Sequence, residues 1–177
     1  SSFQSRLRWH CHFMQKLEDE PEIEFHAMNR TLDGLRKDEF NQDRFDAWAA
    51  GATGYPLVDA CMRALKETKW INFRMRAMLM SFASYHLWLY WRPTSLHLAK
   101  CFLDFEPGIH FSQAQMQSGI TGINAVRIYS PIKQVVDQDP VAGIAGVGFV
   151  VGHELRRGAH ELRIQRVHDE VFDLDHH

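Results

Sequence analysis

The chain has 177 residues, 45% of them hydrophobic and 24% charged, a composition that excludes a disordered polyelectrolyte and a collagen-like repeat. Its 20 Lys and Arg against 22 Asp and Glu give a formal net charge of −2, which excludes a polycationic tail but leaves room for a local basic groove. No apolar run approaches the ~20 residues of a membrane helix, and Cys11, Cys61 and Cys101 are far apart with no CxxC pair, so they read as reduced thiols of a cytoplasmic protein without membrane association.

In chain order, Phe3, Leu7, Trp9, Phe13, Met14 and Leu17 recur at helical spacing and predict a first helix over residues 3–19, ended by the acidic run around Pro21. Residues 22–43 are polar and weakly patterned, with a short helix expected around Met28 to Leu35. Gly51 and Gly54 bracket a turn. Pro56 suits the first turn of a helix whose apolar face is Leu57, Val58, Ala60, Cys61, Ala64 and Leu65. Residues 71–90 contain neither Gly nor Pro, which predicts one continuous helix from Trp70 to Trp91 with Trp88 and Trp91 on one face. Pro93 should stop that helix and begin the next, Thr94 to Phe105. After the FEPG loop, the stretch IHFSQAQMQSG predicts a further helix closed by Gly119. Strand patterns are scarce, so the expected fold class is all-α.

Residues 1–140 form one expected helical domain, and 141–177 a divergent tail. In that tail Gly146, Gly148 and Gly152 nominally match a GxGxxxG dinucleotide loop, but no convincing strand precedes them and no acidic partner follows at the required distance. No internal repeat is visible.

Few constellations carry chemistry by spacing alone. Arg74 and Arg76 are two apart, so on a helix they diverge by roughly 200°, letting one face inward and the other a groove. A guanidinium in an apolar helical region needs an anion, and Asp104 and Glu106 are natural partners; an ordinary inter-helix salt bridge and an anion-binding pair both satisfy this spacing. The 11 His include no HExxH or Cys/His ligand spacing, so no metal site is expected. Each of the five Trp reads first as core packing. No nucleophile elbow is present.

A longer pattern says more. It runs W-x-x-G-x-T-G-Y-P-L-V-D-A-x-M-R from Trp48, then W-x-x-x-R-x-R from Trp70, then Ser81-Phe82 and Trp91-Arg92. It continues with L-D-x-E at Leu103, the Gln-rich helix ending Ser118-Gly119, and RIYSPIKQxxDQDP from Arg127. In order and spacing these blocks resemble the C-terminal helical FAD-binding domain of DNA photolyases and cryptochromes, over roughly 130 residues when SRLRWHCHF is included.

The resemblance implies a partial helical domain of photolyase type with FAD as cofactor. It places Arg74 and Arg76 against the flavin and its diphosphate, and Asp104 and Glu106 at the flavin's pyrimidine edge and ribose side. It puts His110 beside the flavin's redox-active ring nitrogen and Trp91 in the middle of an electron relay, the two positions it marks as catalytic. Trp9 falls where an aromatic stacks on a flipped pyrimidine dimer, and Arg127 and Gln134 fall near lesion and DNA backbone. The implied activity is light-driven electron transfer from FAD that repairs pyrimidine dimers in DNA. A cryptochrome-like photoreceptor is the alternative, and a non-catalytic helical remnant that holds no FAD by itself is another.

Departures from the family pattern accompany the match. The flavin-proximal relay position is Ala114 and the surface one falls near Asp38. Arg6, Met116 and Phe73 replace a glutamate, a lesion-stacking tryptophan and an asparagine. The α/β antenna domain and the Ser/Thr-rich segment for the FAD phosphates are missing from this chain. It starts Ser-Ser without Met and leaves the family pattern after Pro140, which reads as a truncated or frame-shifted product, with a lineage-specific tail as the alternative.

Overall fold

The computed structural model describes residues 2–122 and 128–131. Helix α1 (Ser2–Asp19) is followed by two single 3-10 turns, Pro21–Glu24 and Arg30–Leu32. Then come α2 (Gln42–Ala50), α3 (Pro56–Thr68), α4 (Phe73–Ser81), one π-helical turn (Phe82–His86), α5 (Trp91–Cys101) and α6 (Pro107–Ser118). No strand occurs among the described residues, and the all-α expectation holds.

The helix ends have local causes. Asn41 and Asn72 accept hydrogen bonds from the Arg44 and Met75 amides, capping α2 and α4. Pro56 and Pro107 open α3 and α6, where a missing N–H has no cost. Gly51 and Gly119 close α2 and α6 in the left-handed conformation. The Asp59 carboxylate accepts hydrogen bonds from Thr53 N (2.8 Å), Thr53 Oγ1 (2.6 Å) and Gly54 N (2.9 Å), so the TGYPLVD stretch is a self-capping turn into α3.

Helix α6 is the hub, packing against α1, α4 and α5. Trp48, Met62, Leu65, Met78, Leu79, Phe82, Leu89 and Trp91 fill one continuous core. Burial of Cys61 within it pushes the thiol up to about 12, which makes it an inert core residue. All three cysteines are free, and no helix among the described residues is long and apolar enough to cross a membrane.

Three sequence expectations need correction. The Trp70–Trp91 segment is not one helix: α4 starts at Phe73, widens into the π turn and breaks at residues 87–90, where Trp88 has φ 57°. Tertiary contacts overrule local propensity at this break. The Arg36 guanidinium sits over the Tyr85 and Trp88 rings, 5.1 and 4.6 Å from their centroids, and the Trp88 indole N–H donates to Glu39. Trp88 and Trp91 therefore do not share a helical face; one is exposed and the other lies in the core. Pro93 does not end a helix but occupies the first turn of α5, which begins at Trp91 and stops at Cys101 instead of Phe105. The short helix expected at 28–35 is a single 3-10 turn capped by Asn29. The tail, Arg127 and Gln134 lie outside the described residues.

Candidate functional site

A cavity of about 170 Å³, open on one side, lies between α4, α5 and α6. Ala77 and Met80 of α4, Leu98 of α5 and Ala114 of α6 supply apolar wall. Phe73, Phe102 and Phe105 add aromatic surface, and Arg76, Asp104, Glu106, His110, Gln113 and Gln117 add polar groups.

Each polar group is held by its element. Arg76, on α4, donates through Nη2 to Asp104 at 2.9 Å and through Nε to the Ile71 carbonyl at 2.8 Å, while its guanidinium lies 4.2 Å from the Phe102 ring centroid. The pair is partly exposed, so by itself it contributes about 0–1 kcal/mol to stability. Its effect is to fix a cation and a carboxylate at the cavity wall. Glu106 caps α6, accepting from Gly108 N (3.0 Å) and Ile109 N (2.8 Å). At Gly108 the α1 backbone passes so close that a β-carbon would stand 2.7 Å from the Phe13 carbonyl oxygen, which ties α1 to this end of the site.

His110 sits among Phe102, Phe105 and Phe111 with its Nε2 2.8 Å from the Ser95 carbonyl oxygen and 3.1 Å from Ser95 Oγ. Burial holds its pKa below the usual imidazole range, and the Arg76 charge adds to this, so the ring is neutral at pH 7. Gln117 is buried, yet its Oε1 has no hydrogen-bond partner.

Of the residues singled out from sequence, the fold thus brings Arg76, Asp104, Glu106 and His110 to one cavity, with Ala114 in its wall. Arg74 is exposed on α4 and does not line the cavity. Trp91 is buried in the core and does not line it either. Trp9 is 59% exposed on α1, stacked on Phe13 at 5.8 Å.

Sequence reasoning missed Gln113 and Gln117 as cavity residues. The signal was present: His110, Gln113, Ala114 and Gln117 fall at i, i+3, i+4 and i+7, one face of α6. Gln115, which faces away from them, instead clamps the loop after α1. It donates to the Ile23 and His26 carbonyls and accepts from Met28 N.

Comparison with known proteins agrees with this architecture. The family model described as the FAD binding domain of DNA photolyase matches residues 3–143, and the chain belongs to that family. It is 31% identical over 134 residues to a deoxyribodipyrimidine photo-lyase of Streptomyces griseus, covering 75% of this chain and 29% of that protein. It is 33% identical over 101 residues to a cryptochrome DASH of Solanum lycopersicum, covering 56% of this chain and 18% of that one. Among solved structures, the archaeal photolyase from Sulfolobus tokodaii with two FAD molecules superposes with a TM-score of 0.74 at 27% identity, over 86% of this chain and 38% of that one. A class III photolyase from Agrobacterium tumefaciens gives 0.70 at 28% identity, covering 78% of this chain and 29% of that one. The chain therefore spans less than a third of the length of the curated relatives described above.

FAD is the cofactor of this family, and the cavity fits part of it. At about 170 Å³ it falls short of the roughly 300–1,000 Å³ of a pocket enclosing a whole ligand, so these residues would hold part of the group and not the full dinucleotide. Apolar walls, aromatic edges and a fixed cation beside a carboxylate suit a planar heterocycle with a polar rim.

Proposed function

We propose that this chain is the flavin-ring-binding part of a light-dependent flavoprotein in which FAD-mediated electron transfer repairs pyrimidine dimers in DNA. The observation that carries this reading is the cavity itself, where Arg76, Asp104, Glu106, His110 and Gln117 meet in a member of the photolyase family. FAD, when bound, supplies light absorption and the transferable electron. The chain's own residues supply the rest. Arg76 and Asp104 fix the polar rim, Phe73, Phe102 and Phe105 give aromatic surface along the ring edge, and His110 stands by as a neutral imidazole. Arg74 extends the positive surface of α4 toward the diphosphate. Trp91, buried in the core, is the one retained relay position, with Ala114 and Asp38 where its two relay neighbours would stand, so the usual wire is broken. Trp9, exposed beside Phe13, offers a stacking face to an unstacked pyrimidine, with Arg127 and Gln134 contacting lesion and backbone.

The alternative is a cryptochrome-like photoreceptor, which the cryptochrome DASH relative favours. Binding of dimer-containing DNA separates the two: a repair protein binds it with steep salt dependence, whereas a photoreceptor changes its absorption under blue light without lesion binding.

The test is the absorption of the purified chain between 300 and 700 nm, before and after FAD is added and excess removed by gel filtration. A retained flavin band is the expected result, with loss of that band in the Arg74→Ala/Arg76→Ala variant. A colourless chain would mean a remnant whose chemistry belongs to the longer parent, and unchanged retention in the double variant would remove both arginines from the site.

A further inference from the structure

Residues 3–12 of α1 are all exposed, while Phe13 is buried and Met14 and Leu17 are half-buried where the helix meets α6. Roughly three turns therefore project beyond the packed body, and a helix that short is marginal in water without a packed face. The projecting part is not polar all round. Phe3, Leu7 and Cys11 recur at i, i+4 and i+8 and lead into Met14, so an apolar stripe continues uncovered, with Phe3 68% and Leu7 49% exposed. Arg6 and Arg8 point about 100° to either side of that stripe, and neither makes an ion pair among the described residues. Residues 1–17 contain no Asp or Glu at all. Outside the described residues the chain carries the opposite pattern. Segment 169–175 reads DEVFDLD, four acids and three apolar residues, and residues 167–177 contain no Lys or Arg. Residues 132–168 lie between Pro131 and this segment, a stretch that reaches roughly 120 Å at full extension, several times the roughly 14 Å radius of gyration of a body this size.

We propose that segment 169–175 docks on the uncovered face of α1 in its own chain, its carboxylates against Arg6 and Arg8 and its Val171, Phe172 and Leu174 on Phe3, Leu7 and Cys11. Docking there is independent of what the cavity binds. It removes apolar surface from water and pairs two clusters of opposite sign that otherwise have no counterpart. The competing occupant is the acidic run 18–24 of a second copy. A tethered segment acts at an effective concentration on the order of 1 mM, which at micromolar protein favours the chain's own segment.

Cys11 reports the docking, because its thiol is exposed on the stripe whereas Cys61 is buried. Its alkylation by iodoacetamide is followed by peptide mass spectrometry in the full chain and in a chain ending at His168, with circular dichroism confirming that both are folded. At low salt Cys11 is expected to react about tenfold more slowly in the full chain, and to lose most of that protection in about 1 M NaCl. Arg6→Glu/Arg8→Glu should abolish the protection. Adding Asp169→Lys, Glu170→Lys and Asp173→Lys to that variant should restore it, which a mere change in the folding of α1 does not do. Equal rates in the full and shortened chains overturn the proposal. So does protection that survives the arginine reversal or fails to return on the charge exchange. Protection that grows with protein concentration overturns docking within one chain and assigns the face to a second copy.

Discussion

Gly119 ends α6 with φ 72°, and a β-carbon there would stand 2.1 Å from the Tyr85 hydroxyl oxygen. Two costs therefore fall on one position, a left-handed backbone and a collision with a half-buried phenol that has no hydrogen-bond partner of its own. Gly119→Ala should lower the free energy of unfolding by at least about 1–2 kcal/mol, measured by urea titration. An unchanged midpoint would mean that Tyr85 swings aside and the left-handed turn relaxes. The same residue scale explains why two arginines two positions apart part company. The helical rotation between them leaves Arg74 in solvent and turns Arg76 to Asp104 and the Phe102 ring.

Helix α6 positions five cavity residues, so its N-terminus matters beyond its own stability. Glu106 satisfies two of its free amides, and Gly108 lets the α1 backbone lie against its first turn. Glu106→Ala should cost about 1 kcal/mol of stability and fray the turn bearing His110. Glu106→Gln should recover most of it. Hydrogen exchange of the Gly108 and Ile109 amides checks this directly, and protection equal to wild type in the Ala variant would assign the cap to another group. The α4–α5 break belongs to this scale too. A residue-by-residue reading extends the helix because nothing between 71 and 90 forbids it. The break exists because Arg36, Glu39 and Ser118, remote in sequence, engage Tyr85, Trp88 and Ser84.

For the whole molecule, three half-buried histidines set an acid limit. His86, His97 and His110 all have pKa values lowered by burial, with nearby lysines adding to the effect at His97 and Arg76 at His110. The unfolded chain then binds more protons than the folded one as pH falls below about 6.5, so their stability contribution is complete above that range and declines beneath it. Asp33, lowered by hydrogen bonds from the Ala27 amide and His26, adds a further loss only at lower pH, as carboxylates protonate. The urea midpoint should be level between pH 8 and 7 and fall between 6.5 and 5; a level midpoint across that lower interval would mean that these imidazoles titrate as if exposed.

Sequence alone determined the helical class, the capped turns at Gly51, Gly54 and Gly119, the start of α3 at Pro56 and, through ordered motif blocks, the family. These are readable because caps, proline starts and glycine stops act over a few residues, and because motif order is itself a one-dimensional property. The grouping of Arg76, Asp104, Glu106 and His110 was foreshadowed by that resemblance, but their meeting at one cavity depends on how α4, α5 and α6 pack. Only the tertiary structure decided that Gln117 holds an orphaned acceptor, that Ser95 holds the His110 ring and that the 70–91 segment breaks. Each of these depends on groups far apart in the chain meeting where water is excluded, and there an unpaired polar atom or a displaced helix turn carries a free energy that local propensity does not contain.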